Sequence, residues 1–281
     1  MSRFLKNIFD FYINSSIHVA LAVFAFVQIS CIEFHISNTN NVREFAFYGT
    51  IVGYNFIKYY ELTRVRKQVW HKQLKWIVSL SFVSVLCCGY YFFQLNQITQ
   101  IIAIGALLLT GFYTLPIVPK KTNFRNWSGV KIYLVALSWA IVTVWLPIFN
   151  TELVIKYDVV FYFIQRFFVV FVLMLIFEIV DLSKDKLSLQ TIPQQIGVRQ
   201  TKWLGYVLLV ICVLLEVFKF NSNGNFNNQL VALQLILPFF IAIALFFATP
   251  NRSKYYTSFW VEAIPIVWYL FFLGNVVKNG W

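Results

Sequence analysis

Glu178, Asp181 and Asp185 stand at i, i+3 and i+7 at the end of a long apolar run, in a chain with only 11 acidic residues. On a helix these positions lie within roughly 60° of one another and share a face. Oxygen-only clusters of this kind suit a hard cation, above all Mg2+ carrying a substrate phosphate. The plainer alternative is a solvated helix end, with Lys184 and Lys186 offsetting the acids through neighbouring charge pairs. Thr191-Ile192-Pro193 follows a few residues later and reads as a turn, with Gly197 just beyond it.

The elements that carry these groups must be membrane helices. The 281 residues are 59% hydrophobic, 20% aromatic and 12% charged, whereas a soluble domain averages about 25% charged. The expected class is an all-α polytopic membrane protein. In a soluble chain the net charge of +12 would suggest nucleic acid. Here the excess of cations on one side of a membrane accounts for it, so no nucleic-acid partner is expected. Cys31, Cys87, Cys88 and Cys212 all fall in apolar runs and read as small buried hydrophobes, not as a disulfide or metal framework. No cleaved signal peptide is evident, and the chain has no Gly-rich phosphate loop, Ser-His-Asp set or Cys/His metal spacing.

Residues 2–14 alternate apolar and polar at near-helical spacing and predict a short interfacial helix. Nine spans follow, at about 15–34, 44–61, 76–94, 98–115, 129–149, 158–181, 203–220, 228–248 and 257–277, each long enough to cross a core of ~30 Å. Together they predict one transmembrane domain over 1–281. With the N-terminus cytoplasmic, 17 of the 23 Lys and Arg fall on the cytoplasmic side and four on the other, Lys58 and Arg166 lying within spans. That bias places the C-terminus opposite, in an inner (cytoplasmic) membrane. It also gathers three segments on one face: the end of span two, the loop after span four, and the acidic end of span six. Carboxylates for a metal and Lys, Arg and Tyr for phosphate oxygens are what a Mg2+-diphosphate site requires.

The segment from Glu178 to Gly197 resembles the second aspartate-rich motif of the UbiA superfamily of intramembrane prenyltransferases, roughly Asp-x-x-Asp-x-x-x-Asp followed by a Thr-Leu-Pro-like turn and a Gly. Glu178, Asp181 and Asp185 fill the acidic positions and Thr191-Ile192-Pro193 with Gly197 the turn. Tyr113, Pro116, Lys120 and Lys121 resemble the family's loop after helix four. The first motif, roughly Asn-x-x-x-Asp-x-x-x-Asp at the end of helix two, departs. Asn55 is kept, but Tyr59 and Thr63 stand at the aspartate positions. Glu61 is nearby but points about 200° away from Tyr59 on an ideal helix.

The resemblance implies a bundle of about nine helices and a membrane-embedded transferase of alkyl or aryl groups other than methyl. It implies Glu178, Asp181 and Asp185 as Mg2+ ligands, Asp181 and Asp185 being catalytic. Asn55, Lys58, Tyr113, Lys120 and Lys121 would contact the diphosphate. The partners would be a prenyl diphosphate, a lipophilic, for example aromatic, acceptor, and membrane lipid. The missing first-motif carboxylates keep open a non-catalytic UbiA-fold protein that binds an isoprenoid or quinone-like lipid. A transporter, with Glu33, Arg166, Glu178, Glu216 and Glu262 in its path, lacks support from any inverted repeat. Arg166, about 18 Å along the helix from Glu178, needs a partner, and a structural role is expected for it. Trp139 and Lys131 likewise read first as packing or interface residues.

Overall fold

The computed structural model describes residues 3–37, 40–66, 72–114, 129–151, 155–185, 189–223 and 228–279. Tyr113 is described in its backbone only, and Lys120 and Lys121 lie outside the described residues. The described residues are helical, without a strand. In order they form α1 (Arg3–Asn14), α2 (Ile17–Glu33), α3 (Asn40–Arg66), α4 (Lys72–Phe92), α5 (Gln97–Thr114), α6 (Val130–Ala140), α7 (Leu146–Phe149), α8 (Tyr157–Asp181), α9 (Ile192–Asn223), α10 (Asn228–Phe247) and α11 (Ile264–Asn279). Two π-helical turns, Ile141–Trp145 and Tyr256–Val261, lead into α7 and α11.

Five helical stretches among the described residues are long and apolar enough to cross a membrane: Gln73–Phe92, Val130–Phe149, Tyr157–Asp181, Ile192–Lys219 and Tyr256–Asn275. A sixth is obtained if α1 and α2, bent by 53°, count as one broken span. The chain is therefore an integral membrane protein. The expected spans at 98–115 and 228–248 coincide with α5 and α10, whose apolar stretches Gln97–Gly111 and Ala232–Phe247 are shorter. α3 has the length but ends in a charged stretch from Lys58 to Arg66.

Each helix packs on its neighbours in a continuous series. α4 lies on α3, α3 on α2, α2 on α11, α11 on α10, α10 on α9, α9 on α8, α8 on α6 and α6 on α5, and α7 closes against α2 and α3. α8 is apolar all round, as a helix enclosed by others must be: 61% of its most apolar window is buried, against 11% for α4. The core runs through Phe26, Ile132, Leu175, Ile179, Ile241, Leu245, Trp268 and Phe272. Gly205 allows the close approach of α8, α9 and α10. A Cβ there would stand 2.5 Å from Leu245 Cδ2 and 3.4 Å from Val172 Cγ1.

Both π-helical turns precede a proline. A proline ring clashes with the carbonyl four residues back and supplies no N–H to it. For Pro147 that carbonyl belongs to Thr143, and for Pro265 to Val261. Each lies inside a π turn, where the wider ladder Leu146 N–H to Ile141 O and Glu262 N–H to Thr257 O relieves the clash. The span expected at 129–149 is thus three pieces, not one uninterrupted helix.

The expected turn at Thr191-Ile192-Pro193 is instead the beginning of α9, with Pro193 in the first turn, where a missing N–H has no helical partner to lose. The helix breaks at Gly197, whose φ of 80° and ψ of 159° place it in a region open essentially to glycine alone. α9 also extends past Lys219, which stands at the end of the span expected at 203–220. Lys219 is 5% exposed and paired with Glu33 and Glu216.

Candidate active site at the end of helix α8

The three acidic residues of α8 have different surroundings. Glu178 is 2% exposed, and its Oε2 accepts the backbone N–H of Ile192 at 3.1 Å. It therefore stabilises the amino end of α9, where unpaired N–H groups and the helix dipole favour a carboxylate. Asp181 is half-exposed, and its Oδ1 accepts from Lys184 Nζ at 3.0 Å. Exposed pairs of this kind contribute about 0–1 kcal/mol, so Asp181 is held only loosely. Asp185 follows one turn on, its N–H donating to the Asp181 carbonyl at 2.9 Å and its own carbonyl facing Gln194 Nε2 at 3.4 Å.

The segment after α8 is tied back to this site. Thr191 N–H donates to Gln194 Oε1 at 3.0 Å. Thr191 Oγ1 is buried and has no hydrogen-bond partner among the described residues. Gly129, with a φ of 69°, donates its N–H to the Leu189 carbonyl at 3.3 Å and so brings the start of α6 alongside. Lys131, two residues on, lies within electrostatic reach of Glu178. Its type and position suggested an interface residue; only its place on the cytoplasmic side in the charge count pointed toward the site.

α3 makes a second polar centre. Ser16 Oγ donates to Asn55 Oδ1 at 2.8 Å, and Asn55 Nδ2 donates to Ser81 Oγ at 2.9 Å. Lys58 Nζ approaches the carbonyls of Ile13 and Asn14 at 3.5 and 3.3 Å, and Tyr59 Oη donates to the Asn14 carbonyl at 2.9 Å. The degenerate first motif thus satisfies the orphan carbonyls at the end of α1. A carboxylate at position 59 would face the Asn14 carbonyl and lose that bond, which gives Tyr59 a physical reason. Glu262, following the second π turn, lies within electrostatic reach of Lys58, so a carboxylate from another helix approaches this end of α3. The loop before that turn reaches α1 as well: Tyr255 Oη donates to Asp10 Oδ1, and this bond raises the tyrosine's pKa.

Whether these groups suit Mg2+ turns on the donor set. Among the described residues no three His, Cys, Asp or Glu side chains form a metal-holding group, and Glu178 is engaged by Ile192. Mg2+, however, is usually held by one or two carboxylates, with substrate phosphates and waters completing its shell. Asp181 and Asp185, one turn apart, fit that pattern, and Gln194 ties the Asp185 carbonyl to the Thr191 backbone; a three-carboxylate cage is not present among the described residues.

A scan against protein-family models finds no match, and a search of curated proteins finds no relative. Solved structures do match. A UbiA homologue from Aeropyrum pernix K1 aligns with a TM-score of 0.66 at 13% identity, over 92% of this chain and 98% of that one. A UbiA homologue from Archaeoglobus fulgidus bound to DMAPP and Mg2+ aligns with a TM-score of 0.65 at 12% identity, over 95% and 99%. The chain has the UbiA fold. A structure of digeranylgeranylglyceryl phosphate synthase shares it too, with a TM-score of 0.58 at 15% identity, over 97% and 99%. The UbiA fold thus extends over almost the full length of this chain.

Gly197 is the backbone joint of this site. Gly197→Ala is expected to destabilise the protein by about 1–3 kcal/mol, because alanine cannot hold that φ and ψ without strain. The measurement is thermal unfolding in detergent, and an unchanged midpoint would contradict the joint.

Proposed function

We propose that the chain is a UbiA-type prenyltransferase, moving an isoprenyl group from a prenyl diphosphate to an aromatic or other lipophilic acceptor within the membrane. The observation that carries this reading is the pair of carboxylates Asp181 and Asp185 one turn apart at the end of α8, Asp181 being held only by the half-exposed Lys184, in a fold whose solved examples include one bound to DMAPP and Mg2+ and one bound to GPP and Mg2+.

Asp181 and Asp185 would hold Mg2+, which when bound neutralises diphosphate charge and stabilises its departure. Glu178 acts one layer back by fixing the start of α9, so that the Thr191 hydroxyl is presented toward the diphosphate. Lys131 adds positive charge on the same side. Lys120, Lys121 and Tyr113 are assigned the same task from the loop after α5. Asn55 and Lys58 join only by giving up bonds to Ser16, Ser81 and the end of α1. Glu262 brings a carboxylate toward the end of α3, where Tyr59 and Thr63 stand at the motif's aspartate positions. The apolar centre of the bundle excludes water from the allylic cation left by diphosphate departure. The reading includes an N-terminus on the same, cytoplasmic side as the acidic site.

The engaged state of Asn55, Lys58 and Tyr59 favours one second reading, a non-catalytic protein that binds an isoprenoid or quinone-like lipid. Purified protein incubated with labelled DMAPP, GPP or longer prenyl diphosphates, with and without Mg2+, separates the two. Metal-dependent diphosphate release supports the enzyme. Saturable binding with no release across chain lengths and aromatic acceptors supports the second reading.

A further inference from the structure

A second polar centre lies about 18 Å from Glu178, at 1.5 Å per residue along α8. Lys219 bridges Glu33 and Glu216. Gln165 Nε2 donates to Glu216 Oε2 at 2.9 Å and to the Cys212 carbonyl at 2.8 Å, and Gln234 Nε2 donates to Glu33 Oε2 at 2.6 Å. Arg166 stacks on Phe26, 3.9 Å from the ring centroid, and its Nη2 donates to Tyr162 Oη at 2.6 Å. Two cations therefore face two carboxylates, and the centre is neutral.

Three atoms of this centre have no hydrogen-bond partner among the described residues: Arg166 Nη1, a donor, and the acceptors Gln165 Oε1 and Glu216 Oε1. The last is met by charge alone, 3.1 Å from Lys219 Nζ, which leaves Arg166 Nη1 and Gln165 Oε1 unmet. Their residues are 2% and 8% exposed. Both residues line a cavity of about 40 Å3 between α8, α9 and α10. A water-sized group needs only ~10–15 Å3, so the space holds more than one. Leaving such a donor and acceptor unmet in a membrane interior costs several kcal/mol each.

Val213, Leu235 and Pro238 also line the cavity, and Leu235 is 36% exposed, so this apolar part of the wall, between α9 and α10, reaches the surface of the bundle. Pro238 supplies no N–H to the carbonyl of Gln234, which adds a backbone acceptor to the wall. An anion is disfavoured because the local charge is already balanced. A cation is disfavoured because the carboxylates are occupied. A purely apolar ligand leaves the donor and acceptor unmet. A hydroxyl meets both.

We propose that this recess binds a neutral lipophile through one hydroxyl, an alcohol or phenol whose O–H donates to Gln165 Oε1 and whose oxygen accepts from Arg166 Nη1. The apolar mouth takes the adjoining hydrocarbon. The site is separate from the acidic end of α8, and its occupancy does not depend on prenyl transfer.

The test uses full-length protein in lipid nanodiscs and two diazirine probes, a long-chain alcohol labelled near its hydroxyl and the matched hydrocarbon without it. The alcohol should label residues 212–216 and 234–238 saturably, at least about tenfold above the hydrocarbon, the factor expected for a hydrogen bond to a charged donor. Unlabelled alcohol should compete. Val213→Trp, which fills the mouth and leaves the ion pairs intact, should abolish the labelling without lowering thermal stability; Arg166→Gln should reduce it. Equal labelling by both probes, or labelling that persists in Val213→Trp, overturns the site. No labelling by the alcohol overturns it as well and leaves water as the occupant.

Discussion

Asp181→Ala combined with Asp185→Ala is expected to lower prenyl transfer by at least about 10³-fold, the scale on which removing charge stabilisation at a departing oxyanion acts. Each single change to asparagine should lower it by roughly 10²-fold. The pair is suited to the test because Asp181 contributes little to folding: it is half-exposed and bonded only loosely to Lys184. Thermal stability should move by less than about 1 kcal/mol. Lys184→Ala removes the same surface pair and should leave transfer essentially unchanged. Glu178→Gln should behave differently, because Glu178 holds the Ile192 N–H. Its amide oxygen can still accept that bond, so a loss of stability of about 1 kcal/mol and a smaller loss of rate are expected. Single-turnover kinetics with labelled GPP distinguish these outcomes. Full activity in the double variant would remove the acidic pair from the mechanism.

Lys219→Met should produce the largest loss of stability. It removes the cation that lies between Glu33 and Glu216 and leaves two buried carboxylates facing each other. Breaking a buried pair by deleting one partner costs about 3–5 kcal/mol. The double change Lys219→Met with Glu216→Gln should recover part of that loss, because Gln165 still has a polar neighbour and one of the two unmatched charges is gone. Chemical denaturation in mixed micelles gives both values, and the double-mutant cycle isolates the coupling. A shift below about 1 kcal/mol for Lys219→Met would mean that the carboxylates are already neutral in the folded protein.

Hydropathy and charge asymmetry were enough to read most helices, because spans and loops are separated by burial cost in lipid. The acidic cluster at 178–185 was legible as residue types, but not as one helix face: α8 ends at Asp181 and Asp185 lies in the turn beyond it. What was not legible depends on contacts between distant segments. Glu178 had the same claim as Asp181 and Asp185 to a metal until Ile192 came back to it from the start of α9. The pairing of Lys219, at the end of the span expected at 203–220, was not legible because Glu33, its partner, lies 186 positions earlier in the chain. Arg166 needed a partner, and the ones it has, the Phe26 ring and the Tyr162 hydroxyl, are not visible from its own span alone. Tyr59 read as a loss from a motif and Lys58 as a diphosphate contact; that both bond to carbonyls at the end of α1 needed the fold to be seen. The breaks at Ile141–Trp145 and Tyr256–Val261 depend on prolines whose effect reaches four residues back, which composition alone does not reveal.

Those two π-helical turns bear on how the chain tolerates changes in its length. Each encloses one residue more per hydrogen-bonded ring than an α-helix does. A chain one residue shorter within 256–261 would close that ring to the ordinary spacing and keep Trp268 in phase with the rest of the bundle, at the cost of bringing the Pro265 ring back against the carbonyl four residues before it. The same deletion a few positions later, inside α11, would rotate the remainder of the helix by about 100° and carry Phe272 out of the core. The second π turn is therefore a place where insertions and deletions can be absorbed without rephasing the last helix.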